Sequence, residues 1–142
     1  MPQNLILIPV LAQILLTLVI LAMLPVARRR SMIERRQRMQ DMALAAKTDF
    51  NAQAQKIAAC FSNQFELPVL FYVATAFALI TRSVDAWMLG LATVFVLSRI
   101  AHAIVHIGPN IVAWRFAAYA VGLLALIGMW ARLALAIYTA GF

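Results

Sequence analysis

Charge is scarce in this sequence. Only 12% of its 142 residues are Asp, Glu, Lys or Arg, and five of them are acidic. A soluble domain carries roughly twice that share. The shortage excludes a soluble globular enzyme, and the accompanying 65% of hydrophobic residues excludes a disordered tail. Cysteine occurs once, at Cys60, so there is no intrachain disulfide and no multi-cysteine metal site. No Lys or Arg precedes the first apolar run and no small-residue cleavage site follows it, so that run reads as a retained anchor and not a signal peptide. The runs lack the apolar–polar alternation of a membrane barrel. There is no internal repeat and no low-complexity linker.

What the sequence does have is long apolar runs, with a mean hydropathy of +0.89. A helical membrane span needs about 20 mostly apolar residues. Four stretches qualify: 5–26, 57–80, 86–107 and 116–138. The expected fold is therefore all-α, a single integral membrane four-helix bundle filling residues 1–142. The net charge of +7 does not indicate nucleic-acid binding, because the arginines are clustered. Arg28, Arg29, Arg30, Arg35, Arg36 and Arg38 directly follow the first run. By the positive-inside rule the basic loop 28–56 is cytoplasmic, with both termini on the other side of the membrane. The same arginines attract anionic lipid headgroups.

Between the arginines and the second run there is no Gly or Pro. Met39, Ala43, Ala46, Phe50, Ala54 and Ile57 recur at helical steps, so the second helix is expected to start before the bilayer and continue into it. The alternative is an amphipathic helix lying on the surface. Pro68 is expected to kink the second span.

Polar residues inside spans are costly and face a bundle interior or a watery cavity. Here they collect at one level. Asn63 and Glu66 lie in the cytoplasmic half of the second span, and Arg99, His102 and His106 in that of the third. Glu66 and Arg99 fall at similar depth, each roughly 12–14 Å from its cytoplasmic end, and an ion pair between them is expected. Arg99, His102, His106 and Asn110 share a helix face, as do Arg115 and Tyr119 on the fourth span. Several readings fit: a hydrogen-bond network that only fixes packing, a proton-coupled exporter using Glu66, or a site for a small anion. A metal held by His102, His106 and Glu66 is disfavoured by the neighbouring arginines, so no metal is expected.

Two motifs add more. Asn63-Gln-Phe-Glu66-Leu-Pro68 resembles the Asn-x-x-Glu-and-proline pattern in the second helix of the MAPEG family, membrane-associated proteins in eicosanoid and glutathione metabolism. Arg99-Ile-Ala-His102-Ala-Ile-Val-His106, followed by Asn110, Arg115 and Tyr119, resembles the third helix, loop and fourth-helix start of its prostaglandin-synthase members. The form with Pro68 and His106 resembles the bacterial branch, which implies a bacterial inner membrane.

The resemblance implies a homotrimer that binds glutathione between subunits near the cytoplasmic side. It implies that Arg115 stabilises the glutathione thiolate, and that Arg28, Arg29, Asn63, Glu66, Arg99, His102, His106 and Tyr119 contribute to binding. The implied activity is a glutathione-dependent transferase or peroxidase acting on apolar electrophiles, with glutathione as co-substrate. The alternative is a non-catalytic membrane subunit that keeps the fold for packing or partner binding. Two positions depart from the characterised eicosanoid enzymes: Ala59 stands where they carry arginine, and His106 where they carry tyrosine.

Overall fold

A computed structural model describes residues 2–36, 38, 40 and 49–139. The chain is built from helices, and four helical stretches are long and apolar enough to cross a membrane: Gln3–Arg35, Ala52–Ile80, Ala86–Ile107 and Val112–Thr139.

A 3-10 turn, Gln3–Ile6, leads into α1, Leu7–Arg35. This helix does not stop at the end of its apolar run. It carries Arg28, Arg29 and Arg30 onward and ends at Arg36, whose φ of 52° is left-handed. The start of the expected loop at 28 is thus helical. The reason is local: no Gly or Pro follows Pro25 in this stretch, Arg, Met and Glu are good helix formers, and basic side chains suit a helix C-terminus.

The helix α2, Ala52–Ser62, begins before the apolar run that starts at 57, but later than the stripe predicts: Phe50 lies outside the helix and Asn51 is extended. Asn51 caps it, its Oδ1 accepting the Ala54 N–H at 2.9 Å. Phe50, Ala54 and Ile57 of the stripe are buried. Met39, Ala43 and Ala46 lie outside the described residues. Asn51 also ties α2 to α1, donating its backbone N–H to Ser31 Oγ at 2.6 Å and its Nδ2 to Glu34 at 2.7 Å.

Pro68 does more than kink the second span. The helix ends at Ser62, passes through a 3-10 turn, Asn63–Phe65, and turns at Glu66, with φ −100° and ψ −103°. It then restarts as α3, Leu67–Ile80, with Pro68 in its first turn. Proline has no N–H for the carbonyl four residues back and its ring collides with that turn, but it is well tolerated where a helix starts. A full break resolves the conflict.

α4, Ala86–Ile107, has the expected bounds because Asp85 caps it, its Oδ1 accepting the Met88 N–H at 2.8 Å. α5, Val112–Thr139, starts four residues before the expected 116. Two buried clusters hold the helices together. One joins Ile6, Phe71, Met88, Phe95, Met129 and Leu133, with the Phe71 and Phe95 rings stacked at 4.6 Å. The other joins Ile20, Leu24, Ile57, Cys60 and Ala103. α4 and α5 approach closely at Gly122, where a Cβ would lie 2.5 Å from Ser98 Oγ.

Polar clasps close both ends of the bundle. At one end Gln3 donates to the Val84 carbonyl at 3.1 Å and accepts the Val84 N–H at 3.0 Å, and Arg132 pairs with Asp85. At the other, Gln53 and Lys56 of α2 donate to the carbonyls of Ile107 and Gly108 at 3.2 and 3.1 Å. Leucines and other large apolar side chains point outward, including Leu11, Leu15 and Leu18 of α1 and Leu97 of α4. In water that surface would be unfavourable; in hydrocarbon it is the natural exterior.

Candidate functional site

The break at Pro68 leaves carbonyls at the end of α2 without helical partners. Arg99 on α4 reaches one of them: its Nη2 donates to the Asn63 carbonyl at 3.1 Å. Arg99 is fully buried, and its Nε and Nη1 have no hydrogen-bond partner. The expected ion pair with Glu66 does not form; the Glu66 side chain is exposed. A cation at a helix C-terminus is favoured by the helix dipole, so the broken helix supplies part of the compensation expected from a carboxylate.

His102, one turn along α4, connects three helical segments. A carbonyl can only accept, so Nδ1 donates to the Arg115 carbonyl at 3.1 Å. That leaves Nε2 as the acceptor facing Asn63 Nδ2 at 3.4 Å. Both ring nitrogens are therefore engaged by the protein. His106 packs edge-on against His102, with ring centroids 5.4 Å apart, and its buried Nδ1 has no partner. Tyr119 lies beside His102 at 6.2 Å between ring centroids. Arg115, in the first turns of α5, donates from Nη1 to Asn110 Oδ1 at 2.8 Å.

These groups line one cleft of about 440 Å³. Its walls are Asn63, Glu66, His102, His106, Arg115 and Tyr119, with Ala59, Val112 and Phe116 as apolar neighbours. Arg99 lies behind the wall. Arg28 and Arg29 do not line it: Arg28 sits over the Phe50 ring at 5.4 Å, and Arg29 is exposed on α1. Among the described residues, no three His, Cys, Asp or Glu side chains converge in a way that could hold a metal ion.

Asn110 does not line the cleft but holds a residue that does. Helical spacing and the motif place Asn110 with Arg99, His102 and His106, whereas the structure puts it past the end of α4, with φ 53°, holding the Arg115 guanidinium. The signal was present in Gly108-Pro109-Asn110, a turn sequence placed five residues before an arginine.

Four helices long and apolar enough to cross a membrane, with a polar-lined cleft near one end, define an integral membrane protein. The chain belongs to the MAPEG family, whose family model matches residues 6–135, nearly its whole length. No curated protein and no solved structure matches the chain.

Proposed function

We propose that the protein is a glutathione-dependent transferase or peroxidase that takes apolar electrophiles from the bilayer. The observation that carries this reading is the cleft, where Arg115, Asn63, Glu66, His106 and Tyr119 present polar groups beside the apolar Val112 and Phe116. An anionic tripeptide suits the polar side, and a lipid-soluble partner suits the other.

Arg115 supplies the chemistry. A free thiol has a pKa of about 8.5 and is mostly protonated at neutral pH, whereas an adjacent guanidinium favours the thiolate. Its position early in α5 adds the positive end of a helix dipole. In conjugation the thiol proton leaves to solvent at the cleft mouth. The sulfur then forms a bond to the electrophilic carbon, and the leaving group departs with its bonding electrons. In the peroxidase variant, two glutathione thiols are oxidised to the disulfide while a hydroperoxide is reduced to an alcohol and water.

The exposed Glu66 and the open cleft support a site completed by a neighbouring subunit, hence a homotrimer. The arginine-rich end of α1 supports a cytoplasmic location for that end, with both termini across a bacterial inner membrane. Arg28 and Arg29, remote from the cleft of their own chain, would then serve a neighbour's.

A second reading, a non-catalytic membrane subunit, is favoured by Ala59 on the cleft wall, which leaves that wall one cation short. The deciding experiment is glutathione-dependent thermal stabilisation of the purified protein, followed by conjugation of a chloronitrobenzene in liposomes. Stabilisation with turnover supports the enzyme, and neither effect in the assembled protein supports the subunit.

A further inference from the structure

Arg115 is held from the loop between α4 and α5, and that loop is itself fixed. Gly108 N–H donates to the Ile104 carbonyl at 3.0 Å, and Asn110 N–H to the Val105 carbonyl at 2.7 Å. From α2, Gln53 and Lys56 bind the carbonyls of Ile107 and Gly108. The loop is thus clamped by two helices before Asn110 presents its side chain. Asn110 has φ 53°, a left-handed conformation that asparagine tolerates better than other side-chain-bearing residues. In that conformation its Oδ1 meets Arg115 Nη1 at 2.8 Å. From the other side, the His102 contact fixes the backbone of Arg115 at 3.1 Å. The main chain and the guanidinium of one arginine are therefore anchored by two different elements.

The chemical type of the anchor matters. An amide oxygen accepts from a guanidinium without carrying a charge, so it orients the cation and leaves its positive charge uncompensated. A carboxylate in that place would hold the group more firmly but neutralise it.

We infer that Asn110 is a positioning residue: its amide oxygen fixes the direction in which the Arg115 guanidinium faces the cleft while leaving its charge free for an anionic group bound there. The structural part needs only the two side chains; the consequence for catalysis rests on the glutathione reading above.

Two substitutions separate orientation from charge. Asn110→Gly keeps the backbone, since glycine adopts positive φ freely, and removes the acceptor. Asn110→Asp keeps the acceptor and adds a negative charge. The first measurement uses the protein alone in lipid nanodiscs. It follows modification of Arg115 by an arginine-selective dicarbonyl, resolved by peptide mass spectrometry, with Arg132 as the internal reference. Asn110→Gly should raise the Arg115 rate about threefold or more and Asn110→Asp should lower it, with Arg132 unchanged, as expected for loss or strengthening of one charge-assisted hydrogen bond. An Arg115 rate equal to wild type in a folded Asn110→Gly protein overturns the proposal. If that variant does not fold, an unchanged rate in Asn110→Asp overturns it.

The second measurement adds glutathione and reads bound thiolate by its ultraviolet absorbance, together with kcat and KM. Both variants should lose thiolate and lower kcat about tenfold while KM stays within about twofold, because orientation and charge act on the ionised sulfur and not on the rest of the tripeptide. Wild-type kcat in both variants overturns the catalytic consequence. Absence of bound thiolate in the wild type removes the glutathione reading instead, and the role of Asn110 is then decided by the first measurement.

Discussion

Arg99 donates to the backbone carbonyl of Asn63 at 3.1 Å and makes no ion pair with Glu66. The two residues share a depth in the bundle, yet the break at Pro68 turns Glu66 outward and brings a carbonyl into the reach of the guanidinium. Arg99 therefore serves the broken helix, and Glu66 stays exposed at the cleft, attracting Arg99 only at longer range. The pair that a charge argument would join is divided between support and surface.

This division predicts unequal effects on stability. Glu66→Gln should change unfolding stability by no more than about 0.5 kcal/mol, as for an exposed side chain whose attraction to Arg99 is long-range and screened. Arg99→Ala should cost about 2–4 kcal/mol, because it opens a cavity and strands the Asn63 carbonyl. Reversible unfolding in mixed detergent micelles measures both. Equal losses in the two variants would restore the ion pair.

Arg115 should act on rate more than on affinity. If the proposed glutathione chemistry holds, Arg115→Ala is expected to lower kcat by the equivalent of about 2–4 kcal/mol, with a much smaller change in glutathione affinity, because the charge would act chiefly on the ionised sulfur. Arg115→Lys should recover part of the rate, since it restores charge but not the planar fork that reaches Asn110. Conjugation kinetics in liposomes test this. Wild-type turnover in Arg115→Ala would leave the residue a packing role only.

The helices were legible because hydrocarbon demands long apolar runs, and α4 was legible to the residue because Asp85 starts it and Gly108-Pro109 stops it. The convergence of Asn63, His102 and Arg115 was legible from depth and face. Their bonding was not. That both His102 nitrogens are engaged depends on where α5 places the Arg115 carbonyl, and helical spacing along α4 carries no information about that. The expected kink at Pro68 came from the right cause, but a broken helix changes which groups face inward, and so it misassigned Glu66. Spacing also carried Asn110 along a face that ends at Ile107. Gly122 gave no signal at all, since a glycine within an apolar run looks like any small residue.

Gly122 is nevertheless a point of close approach between α4 and α5. A methyl group there would stand 2.5 Å from Ser98 Oγ, which is itself bonded to the Phe95 carbonyl at 2.6 Å. Gly122→Ala should therefore destabilise the bundle by about 1–3 kcal/mol, the usual cost of overpacking. Combining it with Ser98→Ala should return part of that loss, because the colliding oxygen is gone. A thermal-unfolding double-mutant cycle reads the coupling. Strict additivity would mean the helices separate at no cost to each other, contrary to the observed approach.

At the opposite end, Asp85 gives the bundle a pH-dependent clasp outside the spans. Its burial acts to raise the carboxyl pKa, but the Met88 N–H and the Arg132 guanidinium outweigh it, and the group is held below its ordinary value. A depressed carboxyl contributes stability that is fully present above its unfolded pKa of about 3.9 and is lost as pH falls through the lower folded value. Wild type should therefore lose stability on acidification below about pH 4 more steeply than Asp85→Asn, which keeps a capping oxygen for Met88 but has no charge to lose. Near neutral pH the substitution should cost no more than about 1 kcal/mol, because the pair is about one-third exposed and screened. Arg132→Gln should flatten the acid dependence only in part, since the Met88 contact persists. Thermal unfolding followed from pH 7 to pH 3 in a non-ionic detergent gives the slopes. Parallel slopes for wild type and Asp85→Asn would show that the clasp has no part in acid stability.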